Sequence, residues 1–360
     1  MIESLQISNF RGYRNLSLDR LPRFNFVVGP SASGKTAFLE ALWIVGGTSP
    51  EIYFRMRAMR GVSGQIQILG EKEPYESFFS DIFSTSDDQS GSVIGSEHSP
   101  VARIDIFDST RGHRSLTFSY GNQEELQLQP QGDFMGRGTI VPRRLIFTWK
   151  IGDKEYPCPL VIKGNQIALS QIPEIFPSVL ITSSQTTDAG QNAQRLSEFR
   201  IRKKGESILK AIRQIYPQVL DLSPEVSGGQ QMVYAELTNV DKRLPIQVVS
   251  SGINKYLSLI LAISHYRGGV VLIDEIENGF YFRDYEKVIV GLAEFCLANE
   301  VQLFVTTHSN EMLEAVNRAM KGKESELAIL RTISTDEGCS IALLPGDEGR
   351  AAISEGIELR

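Results

Sequence analysis

Cysteine is scarce in this chain, and the three present, Cys158, Cys296 and Cys339, stand far apart with no Cys-x-x-Cys pair. That spacing indicates neither a disulfide framework nor a zinc site, and it leaves the thiols as core or strand residues. Histidine is equally sparse: His98, His113, His265 and His308 are scattered, and only His308 has a context that gives it a role. No apolar run approaches the roughly 18 residues needed to cross a bilayer, and the N-terminal stretch carries charges where a signal peptide needs an apolar segment. The expectation is a cytoplasmic protein with no membrane partner. Net basic charge is lacking too. A formal charge of −6 argues against a protein that coats nucleic acid by neutralising phosphates, although a local basic patch remains compatible with it.

What is present is an ordinary globular composition, 41% hydrophobic and 22% charged, over 360 residues, long enough for two units with one inserted in the other. Residues 1–8, 14–18 and 23–28 read as strands, and 34–44 as a helix on which Phe38, Leu42 and Trp43 share a face. Residues 84–100 are rich in Ser, Gly and Asp without periodicity and read as an exposed loop. Strand-like stretches follow at 102–107, 115–120, 145–151, 160–163 and 166–169, an antiparallel sheet inserted into or extending the first part. After a strand at 177–182, residues 192–216 read as helical with Gly205 as a divider. Arg195, Arg200, Arg202, Lys203 and Lys204 make this the most basic stretch, a solvated helix face or a contact for DNA, RNA or an acidic partner.

In the last third, continuous apolar strands at 269–274 and 301–306 alternate with helical patterns at 253–266, 284–298 and 311–320, which describes a parallel α/β sheet. The resulting expectation is a core built from 1–50 and 178–360, with a β-rich lobe at 51–177. No repeat or long heptad run is present.

Residues Gly29, Pro30, Ser31, Ala32, Ser33, Gly34, Lys35 and Thr36 satisfy G-x-x-x-x-G-K-[ST] between a strand and a helix, with Ala37 following. Glycines let successive backbone N–H groups face a phosphate, and the helix N-terminus adds partial positive charge. Lys35 is expected on the β- and γ-phosphates of ATP and the Thr36 hydroxyl on Mg2+. The strand 269–273 runs into Asp274 and Glu275: Asp274 is expected at the metal, and Glu275 as the group that orients or deprotonates the attacking water. Thr36 and Asp274 lie 238 residues apart, too far for a compact small GTPase or kinase, so another module must intervene.

Such an interval resembles that of ABC ATPases, which implies a signature sequence opening a helix shortly before the strand that ends at Asp274. Ser227-Gly-Gly-Gln230 spells a familiar signature but stands 47 residues before Asp274 and reads as a hairpin turn. Ser250-Ser-Gly-Ile-Asn-Lys255 is less literal, yet Ser251 stands 23 residues before Asp274 and a helix starts at once. Position favours Ser251 and Gly252 as the group that would present a hydroxyl, backbone N–H groups and a helix N-terminus to the γ-phosphate of a neighbour's ATP. The strand 301–306 ends at Thr307-His308, where an imidazole could hydrogen-bond the γ-phosphate.

Leu5-Gln-Ile-Ser-Asn-Phe-Arg-Gly-Tyr13, Ser251-Gly252, Asp274-Glu-Ile-Glu-Asn-Gly279 and Thr306-Thr-His-Ser309 together resemble the ABC ATPases of the SMC/RecF/OLD group, particularly their stand-alone bacterial AAA-type members. The likeness covers about 1–50 and 245–310. It implies an α/β P-loop NTPase of ABC-head type: a parallel core sheet plus an antiparallel β-rich lobe. It also implies a head-to-tail homodimer or higher oligomer around ATP and Mg2+, with Asn278-Gly279 as the D-loop and Arg11 or Arg14 near the phosphates. Gln185, after the 179–182 strand, is the candidate Q-loop ligand to the metal. Ser31 departs from the group's usual Asn, Ile253 from a second Gly, and Gly279-Phe-Tyr281 from Leu-His-Pro. The residues after the motifs are too few for a toprim-like nuclease domain, so a full OLD nuclease is not expected. The expected function is an Mg-dependent ATPase that regulates a separate effector, a nuclease or toxin, in anti-phage defence. A RecF-like DNA-repair ATPase and a non-hydrolysing ATP-bound scaffold are the alternatives. The β-rich middle disfavours a transporter subunit.

Overall fold

The computed structural model describes residues 1–62, 79–84, 101–121, 144–163, 166–168, 170–182 and 189–359. Gln185 and residues 85–100 of the expected loop lie outside the described residues.

The chain opens with the hairpin β1 (Ile2–Phe10) and β2 (Tyr13–Asp19), then β3 (Phe24–Val28), α1 (Lys35–Val45) and α2 (Glu51–Met59). The middle third supplies β4 (Ala102–Asp108), β5 (Gly112–Gly121), β6 (Arg144–Ile151), β7 (Lys154–Pro159), β8 (Val161–Lys163) and β9 (Gln166–Ala168). Next come β10 (Ser178–Ile181), α3 (Ala189–Ile201), α4 (Gly205–Ile215), β11 (Val219–Ser227), β12 (Gln230–Leu237), β13 (Leu244–Pro245) and α5 (Ile246–Val249). The last third holds α6 (Ser251–His265), β14 (Val270–Ile273), α7 (Tyr285–Asn299), β15 (Gln302–Thr306), α8 (Asn310–Ala319), β16 (Leu327–Thr335), β17 (Gly338–Pro345) and α9 (Gly346–Ser354).

Two sheets organise these elements. The core sheet runs β10-β14-β15-β3-β16-β17 and is parallel except for β17, while the lobe sheet runs β2-β1-β4-β5-β6-β7 and is antiparallel. All residues of β3, β14 and β15 are buried, as continuous apolar strands covered on both faces should be. Period-2 alternation divides them: Val271, Ile273, Leu303 and Val305 pack against α3, α4, α6, α7 and α8, while Val270, Leu272 and Phe304 pack toward α1 and the lobe. Helix α1 is therefore apolar nearly all round, with Phe38, Leu39, Ala41, Leu42, Trp43, Ile44 and Val45 buried between the two sheets.

The N-terminal hairpin and the middle third share one sheet. Strands β1 and β2 belong to the lobe sheet, because the free edge of β1 pairs antiparallel with β4, so the middle third extends the N-terminal hairpin. The expected helix 192–216 is two helices, interrupted at 202–204 where Lys203 takes φ 57°. Ser227-Gly-Gly-Gln230 is the β11–β12 turn, with Gly228 and Gly229 both at positive φ, the conformation a tight hairpin demands.

One buried cation fastens the lobe to the core. Arg114 of β5 donates to the carbonyls of Val45 at 2.8 Å and Gly47 at 2.6 Å, capping the C-terminal end of α1 where unpaired carbonyls and dipole favour a cation. Burial lowers its guanidinium to about 10, with Glu174 opposing that shift. Replacing it with Leu strands those carbonyls in a dry interface, so Arg114→Leu should cost about 2–4 kcal/mol of unfolding free energy. A denaturant midpoint equal to wild type would show that the clamp contributes nothing.

Candidate functional site

The site lies at the carboxyl ends of the core strands, where α/β sheets place their ligands. Strand β3 delivers Gly29 at φ 144°, and a Cβ there would stand 2.2 Å from the Thr332 Oγ1, so only glycine lets the chain turn. Ser33 is buried and its hydroxyl pairs with Thr332 of β16 and with the Pro30 carbonyl, which fixes the loop from below. Gly34 ends the loop at φ 95°, with the Tyr13 hydroxyl donating to its carbonyl at 3.1 Å. Helix α1 then begins with no side-chain cap and no acidic residue in its first turn, a set of N–H groups presented to an anion. The Lys35 ammonium is held over this loop by the carbonyls of Gly29 at 2.7 Å and Pro30 at 2.6 Å. Burial lowers its pKa, while Asp274, Glu275 and Glu277 pull it back up.

Strand β14 carries the acidic half. Thr36 Oγ1 donates to Asp274 Oδ2 at 3.2 Å across 238 residues, so helix start and strand end meet. Thr306, at the tip of β15 between them, donates its hydroxyl to Asp274 Oδ1 at 2.6 Å and accepts the Glu275 N–H at 2.8 Å. Glu275 takes φ 50°, a left-handed conformation that costs a residue with a Cβ about 1–2 kcal/mol. Three contacts hold it there: Thr306 on its N–H, Lys255 Nζ on its carbonyl at 3.0 Å, and Asn278 Nδ2 on its carboxylate at 2.7 Å. A hydroxyl and a carboxylate converging at 3.2 Å are hard oxygen donors of the kind Mg2+ takes, so Thr36 and Asp274 fit that ion.

The remaining expected residues divide. Ser251 is exposed at the first position of α6, whose cap is the Ser250 hydroxyl, and the buried Gly252 backs onto the Gly279 carbonyl and Tyr216 hydroxyl. His308 follows β15 directly, and its N–H reaches Glu277 Oε1 at 2.7 Å. Arg11 is engaged elsewhere: its guanidinium pairs with the buried carboxylate of Glu40, with Asp81 3.7 Å away. That ion pair lies on the second turn of α1, and the Nε and Nη2 of Arg11 stay buried without a hydrogen-bond partner among the described residues. Thr306 and Glu277 lie inside the motif stretches that carry the resemblance and Lys255 inside the Ser250–Lys255 signature, but none of the three was given a role; Thr332 lies in no motif. Two of the five residues of the basic stretch are also structural: Arg195 is buried over the Tyr266 ring, and Arg200 binds the Leu222 carbonyl.

A family profile described as "AAA domain, putative AbiEii toxin, Type IV TA system" matches residues 24–314. The chain belongs to this AAA-domain family. It is also similar to an ATP/GTP phosphatase of Helicobacter pylori, 23% identical over 351 residues and 90% of each chain. A shorter likeness, 46% over 48 residues and 13% of each chain, is to the DNA replication and repair protein RecF of Lachnoclostridium phytofermentans. Among solved structures, an Smc head bound to the C-winged helix domain of ScpA shares the fold with a TM-score of 0.51 and 14% identity, over 96% of this chain and 97% of that one. The AAA-domain protein is thus an ATPase, and it shares the fold of the Smc head, with the P-loop α/β head and antiparallel region its sequence implied. Among the described residues, no helix is long and apolar enough to cross a membrane.

Because Lys35 is the one ammonium held by the P-loop carbonyls, Lys35→Ala should weaken ATP binding by roughly tenfold to a hundredfold, the worth of a lost charged hydrogen bond. Titration calorimetry with an unaltered affinity would remove Lys35 from the nucleotide site.

Proposed function

We propose that this ATPase hydrolyses Mg-ATP in a site completed by a second copy of the chain, and that the ATP-bound dimer governs a separate effector, a nuclease or toxin, in bacterial anti-phage defence. The observation that carries the hydrolytic part is the Thr306 hydroxyl, which joins Asp274 to the backbone of Glu275 beside Thr36. Lys35 and the first amides of α1 bind the phosphates, and Thr36 and Asp274 hold the metal. The bound ion would neutralise charge building on the phosphoryl oxygens. Glu275, locked in its left-handed turn, takes the proton of the attacking water, and His308 meets the γ-phosphate.

Dimerisation is supported by Ser251, which stands exposed at the start of α6 with no acidic residue in that first turn. Such a helix start suits the γ-phosphate of a partner's nucleotide. The toxin–antitoxin wording of the family supports the defence role. The short RecF likeness supports a DNA-binding alternative, yet burial of Arg195 and pairing of Arg200 leave that reading with Arg202, Lys203 and Lys204.

Two measurements test the proposal. Glu275→Gln keeps shape and removes the base, so phosphate release should fall by about a hundredfold or more while an ATP-bound dimer accumulates on sizing chromatography. Full turnover by this variant, or a monomer holding ATP tightly, would sink the assignment. The second concerns Ser251, since Gly252 has no room for a side chain: a Cβ there would meet the Gly279 carbonyl at 2.8 Å. Ser251→Glu places a carboxylate at a helix N-terminus, which favours the fold, yet opposes a partner's phosphate. It should abolish the ATP-dependent dimer without lowering the melting temperature, whereas Ser227→Glu in the exposed β11–β12 turn should change neither. The reverse pattern would return the signature role to residues 227–230.

A further inference from the structure

We infer that Glu277 is a positioning residue for ATP hydrolysis, its carboxylate holding the main chain at His308 and thereby setting where that imidazole stands. The inference rests on the reading that His308 meets the γ-phosphate.

The last rung of the β15 ladder with β3 is Thr306 opposite Val27, so the sheet no longer fixes the chain at His308. Helix α8 starts only at Asn310, with Ser309 as its cap. His308 therefore sits on an irregular link between strand and helix, and its amide needs a partner from elsewhere. Glu277 supplies it: Oε1 accepts the His308 N–H at 2.7 Å, a charge-assisted bond across 31 positions of sequence.

The arm itself is held rigidly. Lys255 Nζ donates to the carbonyls on either side of Glu277, Ile276 at 3.2 Å and Asn278 at 2.7 Å. The Phe280 N–H closes a turn onto the Glu277 carbonyl at 3.2 Å. A displacement of this loop would thus be passed to His308 through one carboxylate. The other oxygen, Oε2, is buried with no hydrogen-bond partner among the described residues. Lys35, Lys255 and Tyr285 face the carboxylate electrostatically without satisfying that atom. A side chain serving stability alone gains nothing from an orphaned buried oxygen, which costs free energy. One serving to place a neighbouring group can carry that cost, as strained and under-satisfied residues at functional sites do.

The test is a double-mutant cycle on the full chain, with steady-state ATPase kinetics and a thermal melt of each variant. Glu277→Leu should lower kcat by roughly tenfold to a hundredfold, the penalty for a group displaced by about an ångström, with KM within about twofold of wild type. Glu277→Gln keeps an acceptor for the His308 N–H and should restore most of that loss. The decisive outcome is the double variant: Glu277→Leu with His308→Ala should be no slower than His308→Ala alone, because both changes remove one function. Additive losses, a Gln variant as damaged as Leu, or wild-type kcat for Glu277→Leu would each overturn the assignment to Glu277 alone. Wild-type kcat for His308→Ala would overturn the role of His308, and the positioning role of Glu277 with it.

Discussion

Two half-buried or buried ammonium groups and three carboxylates share the carboxyl ends of β3, β14 and β15, and their mutual compensation is what the rest of the site depends on. Lys35 and Lys255 are both drawn toward neutrality by desolvation, Lys255 down to about 8, and both are held charged by Asp274, Glu275 and Glu277. Neither lysine reaches a carboxylate directly; each spends its donors on backbone carbonyls, Lys35 on the P-loop and Lys255 on the turn after β14. The carboxylate oxygens are thereby left to hydroxyls, amides and incoming ligands. Charge balance at a distance, with neutral partners at contact, keeps the acidic groups available for chemistry.

Strand order makes that balance possible. Strand β15 separates β3 from β14, so its tip projects between the P-loop and the acidic turn, and Thr306 can reach Asp274 and Glu275 at once. That geometry is only as firm as the sheet beneath it. Apolar clusters cover both faces, and α1 is wedged between the core and lobe sheets with its far end clamped by Arg114. A helix so fixed cannot slide, and the glycine-bounded loop at its start therefore keeps its N–H groups aimed in one direction.

The sequence announced what is local and missed what is set by neighbours. Gly29–Thr36 and Asp274-Glu275 are contiguous motifs flanked by a strand and a helix, so spelling and context suffice to find them. The turn at 227–230 was separable from the expected signature at 251 because it stands 47 residues before Asp274, against 23 for Ser251, and reads as the hairpin turn that the structure shows. Thr306, Glu277 and Thr332 gain their roles from which strands lie side by side, and periodicity does not encode that order. Thr332 lies in the β16–β17 hairpin, and nothing in its sequence points to the underside of Gly29. The motif around Arg11 pointed to phosphate and gave no sign of its ion pair with Glu40, five residues after Lys35 on α1. The pairing of β1 with β4, which joins the N-terminal hairpin to the middle third, is likewise a matter of strand order.

The strained turn at Glu275 gives the arrangement its directionality. A left-handed conformation at a residue with a side chain persists only where surrounding contacts over-determine it, and here those contacts come from three separate elements. Thr306 grips the amide from β15, Lys255 grips the carbonyl from α6, and Asn278 grips the carboxylate from the following turn. Helix α6 is also the element that exposes Ser251 to a neighbour and, in the proposed dimer, would meet a second nucleotide. A displacement of α6 on that contact would therefore act on the backbone of the general base through a single side chain four residues from Ser251. Sub-ångström shifts matter at a turn held this way, because relaxing one grip would release strain stored at Glu275 and reorient its carboxylate. In the proposed dimer, hydrolysis in one site and contact with the other would thus be joined along α6.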